Sequence, residues 1–267
     1  MDQYLEEIER LRLERVERSP AEPASPKTAI SKAHTTSAST YDPTPSDSRR
    51  MAEWRRRVEL AFLGAVRRSR LPRLHFDESA FTPAFWQSPT GEAVLANRSE
   101  AQVAVFRHIA GQPRGRLFAL VGERGVGKTR LAVSLVVQVC IDETFGANDA
   151  TPGRNFAMLR SVMEFFFDLR EAYGDNAPER EASVLRRYCE PDILVLDDMQ
   201  DRGETQWEQR TLALLIDKRY RDRKDTILIA NIDPAKFEAH IGAAISDRIR
   251  ECGGVIECDW ESFRGTK

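Results

Sequence analysis

The plainest chemistry in the sequence sits in Gly122, Glu123, Arg124, Gly125, Val126, Gly127, Lys128 and Thr129, with Arg130 directly after. These residues fit the pattern GxxxxGK[ST]. The glycines let a loop wrap with its backbone N–H groups turned inward onto phosphate oxygens, and a helix starting there adds the positive end of its dipole. Lys128 is placed to reach the β- and γ-phosphates of a nucleoside triphosphate, and the Thr129 hydroxyl to ligate Mg²⁺. The pattern alone has false positives. Here an apolar run at 117–121 precedes it and a helical pattern follows, and that context separates a phosphate loop from a chance glycine-rich turn.

Two more polar clusters end apolar runs. Asp192-Ile-Leu-Val-Leu-Asp197-Asp198 reads as a buried strand finishing in two carboxylates. Beside a phosphate loop, Asp197 is expected to hold the Mg²⁺ shell and Asp198 to orient and activate a water; the plainer alternative is two acids capping a strand. Thr226-Ile-Leu-Ile-Ala-Asn231 ends in an amide that could sense a γ-phosphate or position water, although Asn also simply begins turns.

Positioning these groups requires short buried strands alternating with helices. Strands are predicted at 117–121, 155–159, 193–196, 226–230 and 255–258, and helices over 129–140, 161–173 and near 207–220. That order implies an α/β fold, a parallel sheet covered on both faces.

The chain before this core reads differently. In residues 1–18, Tyr4, Leu5, Ile8, Leu11 and Val16 fall on one helical face, and Glu6–Arg10 and Glu14–Arg18 are favourable i,i+4 pairs. The segment is either a solvated, fraying helix or a helix that docks on a partner. Residues 19–48 hold Pro20, Pro23, Pro26, Pro43 and Pro45 among Ala, Ser and Thr, the composition of a flexible linker spanning roughly 30 Å. Residues 49–73 are basic, with Arg49, Arg50, Arg55, Arg56, Arg57, Arg67, Arg68, Arg70 and Arg73, and carry an apolar stripe of Trp54, Val58, Phe62 and Val66. The stripe implies a docked surface helix; its arginines face either water or a nucleic-acid backbone. Residues 74–267 form the main domain. The formal net charge of −2 gives no whole-chain pull toward nucleic acid. The sequence contains neither a membrane-length apolar run nor a signal peptide, so a cytoplasmic location is expected. Cys140, Cys189, Cys252 and Cys258 form no CxxC pair and have no histidine at ligand spacing, which argues for cytosolic thiols and against zinc.

Together these residues resemble AAA+ ATPases, and within them the bacterial replicative-helicase loaders of the DnaC/DnaI type, in the IstB-like ATP-binding superfamily. The resemblance covers roughly residues 71–264. Residues 122–132 look like the loader Walker A with its helix, and 192–198 like Walker B. Trp207-Glu-Gln-Arg continuing to Ile216-Asp-Lys-Arg-Tyr220 is similar to the following loader helix. Residues 226–231 look like sensor 1. Ile245-Ser-Asp-Arg248-Ile-Arg250 with Gly253-Gly254, then Asp259-Trp-Glu-Ser-Phe-Arg264, resemble the loader C-terminal end.

The resemblance implies a three-layer αβα sandwich with an abbreviated lid and an N-terminal helical extension. It implies ATP and Mg²⁺ as ligands, with residues 122–130 around the nucleotide. It implies Arg248 as an arginine finger on a neighbouring subunit's nucleotide and Arg264 as a sensor 2 residue on its own. Arg250 is an alternative finger, and an internal Asp247–Arg248 ion pair the structural alternative. The implied function is an ATPase that self-assembles and delivers a hexameric replicative helicase, held by the N-terminal helix, onto single-stranded DNA. Two other functions fit the same core: an IstB-type transposition ATPase acting on duplex DNA with a transposase, and a non-hydrolysing ATP-switched scaffold. The last is hinted at by Asp198, where the family often has the longer Glu.

Overall fold

The computed structural model of the chain describes residues 99–145, 156–173, 179–203 and 205–262, with Gly64 and Arg67. The chain divides into two units, Met1–Leu60 and Ala61–Lys267, and the described residues all belong to the second. The expected docking helix at 1–18, the linker at 19–48, most of the basic segment at 49–73, and Arg264 lie outside the described residues.

Helix α1 (Glu100–Ala110) leads into strand β1 (Leu117–Val121) and helix α2 (Lys128–Phe145). Then follow β2 (Ala157–Ser161), α3 (Val162–Glu171), α4 (Glu181–Cys189) and β3 (Ile193–Asp197). A 3₁₀ turn at Met199–Asp201 precedes α5 (Gln206–Arg221), β4 (Asp225–Ala230), α6 (Pro234–Ile241), α7 (Ala243–Cys252) and β5 (Gly253–Glu257). The five strands form one sheet in the order β2-β3-β4-β1-β5, with every pair parallel.

Alternation along the strands builds the two cores. Phe118 and Leu120, Ile193 and Val195, and Ile227 and Ile229 face a layer made with α1 and α2. Leu117, Ala119 and Val121, Leu194 and Leu196, and Leu228 and Ala230 face α3 through α7. The result is the expected three-layer α/β architecture. Both faces of the central strands are covered, so these strands read as continuous apolar runs. Helix α2 is buried on most sides, from Leu131 through Ile141, which is why its sequence lacks a polar stripe. Among the described residues, no helix is long and apolar enough to cross a membrane.

The helices start where local chemistry tells them to. Ser99 with Gln102, Ser161 with Glu164, and Thr205 with Glu208 form reciprocal capping boxes on α1, α3 and α5. Asp233 caps α6, with Pro234 at its first position. Helices α1, α4, α6 and α7 go beyond the helices predicted from sequence periodicity. Strand β5 begins two residues before its predicted start. The segment after Asn231 forms α6 and α7, packed on the sheet, and β5 within it.

The N-terminal edge of the sheet is tied by one carboxylate. Asp225, 1% exposed, opens β4. Its Oδ1 accepts from the backbone N–H groups of Gly115 (2.9 Å) and Arg116 (3.0 Å), and its Oδ2 from the guanidinium groups of Arg114 (2.7 Å) and Arg116. Burial alone would raise this carboxyl; the Arg116 hydrogen bond and the Arg116 and Arg114 charges outweigh it and hold it below the usual range. Asp225 therefore joins the α1–β1 connection to β4.

Because the folded-state pKa is depressed, the carboxylate's contribution is present above about pH 4 and is lost as pH falls through the folded value. Asp225→Ala is expected to destabilise the protein by about 3–5 kcal/mol at pH 7, since it strands the buried Arg116. The difference from wild type should shrink below about pH 4 in urea-unfolding curves. Coincident unfolding midpoints at pH 7 would remove Asp225 from this role.

Candidate active site

The C-terminal ends of β1, β3 and β4 lie side by side: β1 leads into the loop at Gly122, β3 ends in Asp197, and Asn231 follows β4. After Val121 the chain turns at Gly122 (φ 142°), and Gly125 (φ 91°) and Gly127 (φ 86°) follow in conformations that favour glycine. At Gly122 a side chain is also excluded by space, because a Cβ there would lie 2.5 Å from the Cys258 carbonyl oxygen. Val126 points its side chain into the core with α1 and α2, which anchors the loop.

Lys128 opens α2 and is 4% exposed. Its ammonium crosses back over the loop to the carbonyls of Gly122 (2.9 Å) and Glu123 (2.6 Å). Burial holds the Lys128 pKa below the usual lysine range, opposed by Asp197 and Asp198. The nearby Cys258 thiol is pushed up to about 12 by its own burial and stays neutral. Glu123, Arg124 and Arg130 are exposed around the loop.

Asp197 ends β3. Its Oδ2 accepts from the Thr129 hydroxyl at 2.6 Å, and its Oδ1 from the Asp198 backbone N–H at 2.7 Å. Burial, reinforced by the Asp198 charge, raises the Asp197 carboxyl above the usual range. A hydroxyl and a buried, charge-disfavoured carboxylate brought together from two elements are the hard oxygen donors that Mg²⁺ takes, and a cation there would offset the burial penalty. The residues present therefore fit the metal.

Asp198 holds a left-handed backbone conformation, φ 54° and ψ 44°. For a residue other than glycine this is uncommon and is a recurrent mark of functional sites. The turn aims its Oδ1 at the Asn231 side-chain amide (2.9 Å) and at Gln200 Nε2 (3.2 Å). Gln200 also accepts the Asn231 backbone N–H through its Oε1 at 2.8 Å. Thus the β3 and β4 tips are joined, and Gln200 is a member that sequence reasoning missed. Its signal was slight: a polar residue two positions past the acidic pair.

Arg248 is not brought to this edge. Helices α5 and α7 each run back toward the start of the next strand, so Arg248 and the Asp217 it meets lie toward the opposite edge. Its guanidinium donates to Asp217 Oδ1 (2.5 Å) and the Ala244 carbonyl (2.7 Å) and lies over the Tyr220 ring. An internal ion pair exists, but with Asp217; Asp247 pairs instead with Arg250, which also meets Glu238. Gln102 of α1 and Trp260 beyond β5 both reach the loop at the Val126 carbonyl, and neither was anticipated as a site residue.

Residues 100–267, well over half the chain, match the model of the IstB-like ATP binding protein family. Similar proteins include the uncharacterized protein YdaV of Escherichia coli (strain K12), 27% identical over 148 residues, covering 55% of this chain and 54% of YdaV. Replicative helicase loader DnaC of the same strain is 20% identical over 148 residues, covering 55% of this chain and 56% of DnaC. The chain spans about half the length of the curated relatives it matches. Among solved structures, the DnaC helicase loader gives a TM-score of 0.48 at 18% identity, covering 66% of this chain and 99% of that one. DnaI gives 0.48 at 19% identity, covering 73% and 98%. The chain, whose own fold is a five-stranded parallel sheet covered by helices, belongs to the IstB-like ATP binding protein family.

Proposed function

We propose that this chain acts in the cytoplasm as a Mg²⁺-dependent ATPase that assembles with further copies of itself and delivers a hexameric replicative helicase onto single-stranded DNA. The observation that carries the ATPase reading is the Asp198–Asn231 hydrogen bond beside the Thr129–Asp197 pair. Lys128 and the backbone N–H groups of residues 122–129 bind the phosphates. Thr129 and Asp197 would hold Mg²⁺, which when bound neutralises charge on the β- and γ-phosphates. Asp198 accepts a proton from the attacking water, and the Asn231 amide orients that carboxylate. Gln200 joins the two strand tips from which these side chains extend.

The loader reading draws on the helicase-loader name of the DnaC relatives and on the resemblance set out above. In it the apolar face of residues 1–18 docks on the helicase, and basic residues, with 49–73 as a candidate, meet DNA. The family's IstB-like name keeps a transposition ATPase in play. A pull-down of the host replicative helicase, with and without residues 1–18, tests the loader reading. Capture that depends on those residues supports it. Equal recovery moves the docking site elsewhere, and a preference for duplex over single-stranded DNA favours the transposition reading.

Lys128→Ala is expected to abolish ATP binding, whereas Asp198→Asn spares binding and removes turnover. Calorimetry and phosphate release measure the two. Wild-type ATP affinity in Lys128→Ala would refute the phosphate-loop assignment, and wild-type turnover in Asp198→Asn would refute the role given to Asp198.

Arg248 is held by Asp217 and the Ala244 carbonyl rather than by any residue of the phosphate loop, and its proposed partner is a neighbour's nucleotide. Arg248→Ala is expected to keep ATP binding and lose turnover on the order of a thousandfold. Mixing it with Lys128→Ala should return some activity, because mixed neighbours pair an intact loop with an intact finger. If both variants assemble and mixing restores nothing, the trans role passes to Arg250 or is dropped.

A further inference from the structure

The apex of the phosphate loop is held from outside by two residues remote from it in sequence. The Val126 carbonyl accepts from Gln102 Nε2 at 3.1 Å and from Trp260 Nε1 at 2.5 Å. Gln102 lies in the first turn of α1 and is 1% exposed. Its Oε1 accepts the Ser99 backbone N–H, so one side-chain amide both closes the helix cap and grips the loop. Trp260 belongs to a stretch that follows the loop closely: Cys258 N–H donates to the Val121 carbonyl at 2.7 Å, and the Ser262 hydroxyl to the Arg124 carbonyl at 3.5 Å. The Trp260 ring packs on the core that also takes the Val126 side chain.

A peptide group is planar and trans, so its C=O and its N–H point in opposite directions. Two donors on the Val126 carbonyl therefore fix the N–H of Gly127, in the same peptide group, pointing away from both. Gly127, on the nitrogen side of that peptide, is a glycine at positive φ. Such a residue adopts the loop's shape without strain but does little to stop a peptide from flipping. A flipped peptide would present a carbonyl oxygen, with its partial negative charge, where a phosphate must sit.

We propose that Gln102 and Trp260 are positioning residues for nucleotide binding: by holding the Val126 carbonyl, they preorganise the Gly127 N–H as a donor to the phosphate chain. This rests on reading residues 122–129 as the phosphate site. Helix α1 and the stretch after β5 thereby become part of the nucleotide site without touching nucleotide, and a ligand or partner that shifts either one changes ATP affinity.

The test uses the full chain and ATP with Mg²⁺. Trp260→Phe keeps a packed ring and deletes the donor. Gln102→Leu keeps side-chain bulk and deletes the donor along with the cap acceptor, so Ser99→Ala, which breaks the cap alone, is its control. Trp260→Phe and Gln102→Leu should each weaken ATP binding about three- to tenfold, the loss typical of one hydrogen bond, while Ser99→Ala leaves it unchanged. The chain has 15 glycines, and only Gly122 and Gly127 follow a valine, so ¹⁵N-glycine with ¹³C-carbonyl-valine labelling narrows the amide signals to these two. The Gly127 amide proton should move downfield on ATP addition in wild type and respond less in both variants, an effect that altered packing alone would not produce. Wild-type affinity in both variants, an unchanged Gly127 response, or a Ser99→Ala loss equal to that of Gln102→Leu would each overturn the proposal. Lys128→Ala separates the two levels. If it too binds ATP normally, the phosphate-loop reading has failed; if it alone loses binding, only the positioning role has.

Discussion

The parallel register of β3, β4 and β1 is the constraint on which the active edge depends. Val121 is paired with Ala230, and Leu196 with Leu228, so Gly122, Asp197 and Asn231 emerge at neighbouring strand ends. A slip of one residue would exchange the two faces of a strand and carry Asp197 away from Thr129. Asp197 also shows how closely the edge is balanced. Its carboxylate is buried, disfavoured by that burial and by Asp198, and supported by a hydroxyl and one backbone N–H. Such a group is tolerated where a cation completes it.

The opposite edge holds the register. Arg219 is fully buried and donates to the carbonyls of Tyr188, Cys189, Pro191 and Asp225 and to the Thr226 hydroxyl. Burial lowers its pKa to about 10, which still leaves it charged at neutral pH. It stitches the end of α4 and the approach to β3 onto the first residues of β4. Asp225, bound by Arg114 and Arg116, then ties β4 to the entry of β1. Fixed charges and carbonyls at one end thus set the strand alignment that the chemistry at the other end uses.

Much of this was legible in the sequence. Residues 117–121, 193–196 and 226–230 are short apolar runs ending in chemistry-bearing residues, and the two-faced burial of the sheet explains why runs rather than alternation mark them. Helices α4, α6 and α7 escaped because they are short and cover the sheet with only a few apolar residues each, such as Val184, Leu185 and Tyr188 on α4. Strand β5 starts before its apolar residues do, because Gly253 and Gly254 give no hydrophobic signal; a Cβ at Gly253 would lie 2.3 Å from the Leu117 carbonyl oxygen. Pairings such as Arg248 with Asp217, Gln200 with Asn231, and Trp260 with Val126 join residues that only the tertiary fold brings together. Local spacing carries no trace of them.

Strand β1 sits between β4 and β5, whose residues come more than a hundred positions later in the chain, and Trp260 is separated from Val126 by 134 residues. On a ribosome, the glycine loop is therefore made long before anything that can pair with its strand or support its apex. A partly synthesised chain has the whole phosphate-binding motif and no sheet to set it in. Closing such long loops is entropically slow, and high contact order predicts slow folding relative to helical domains of similar size. Until β4 and β5 arrive, the apolar strand 117–121 has open edges on both sides. Nascent chains halted in that interval would be the form of this protein most in need of a chaperone.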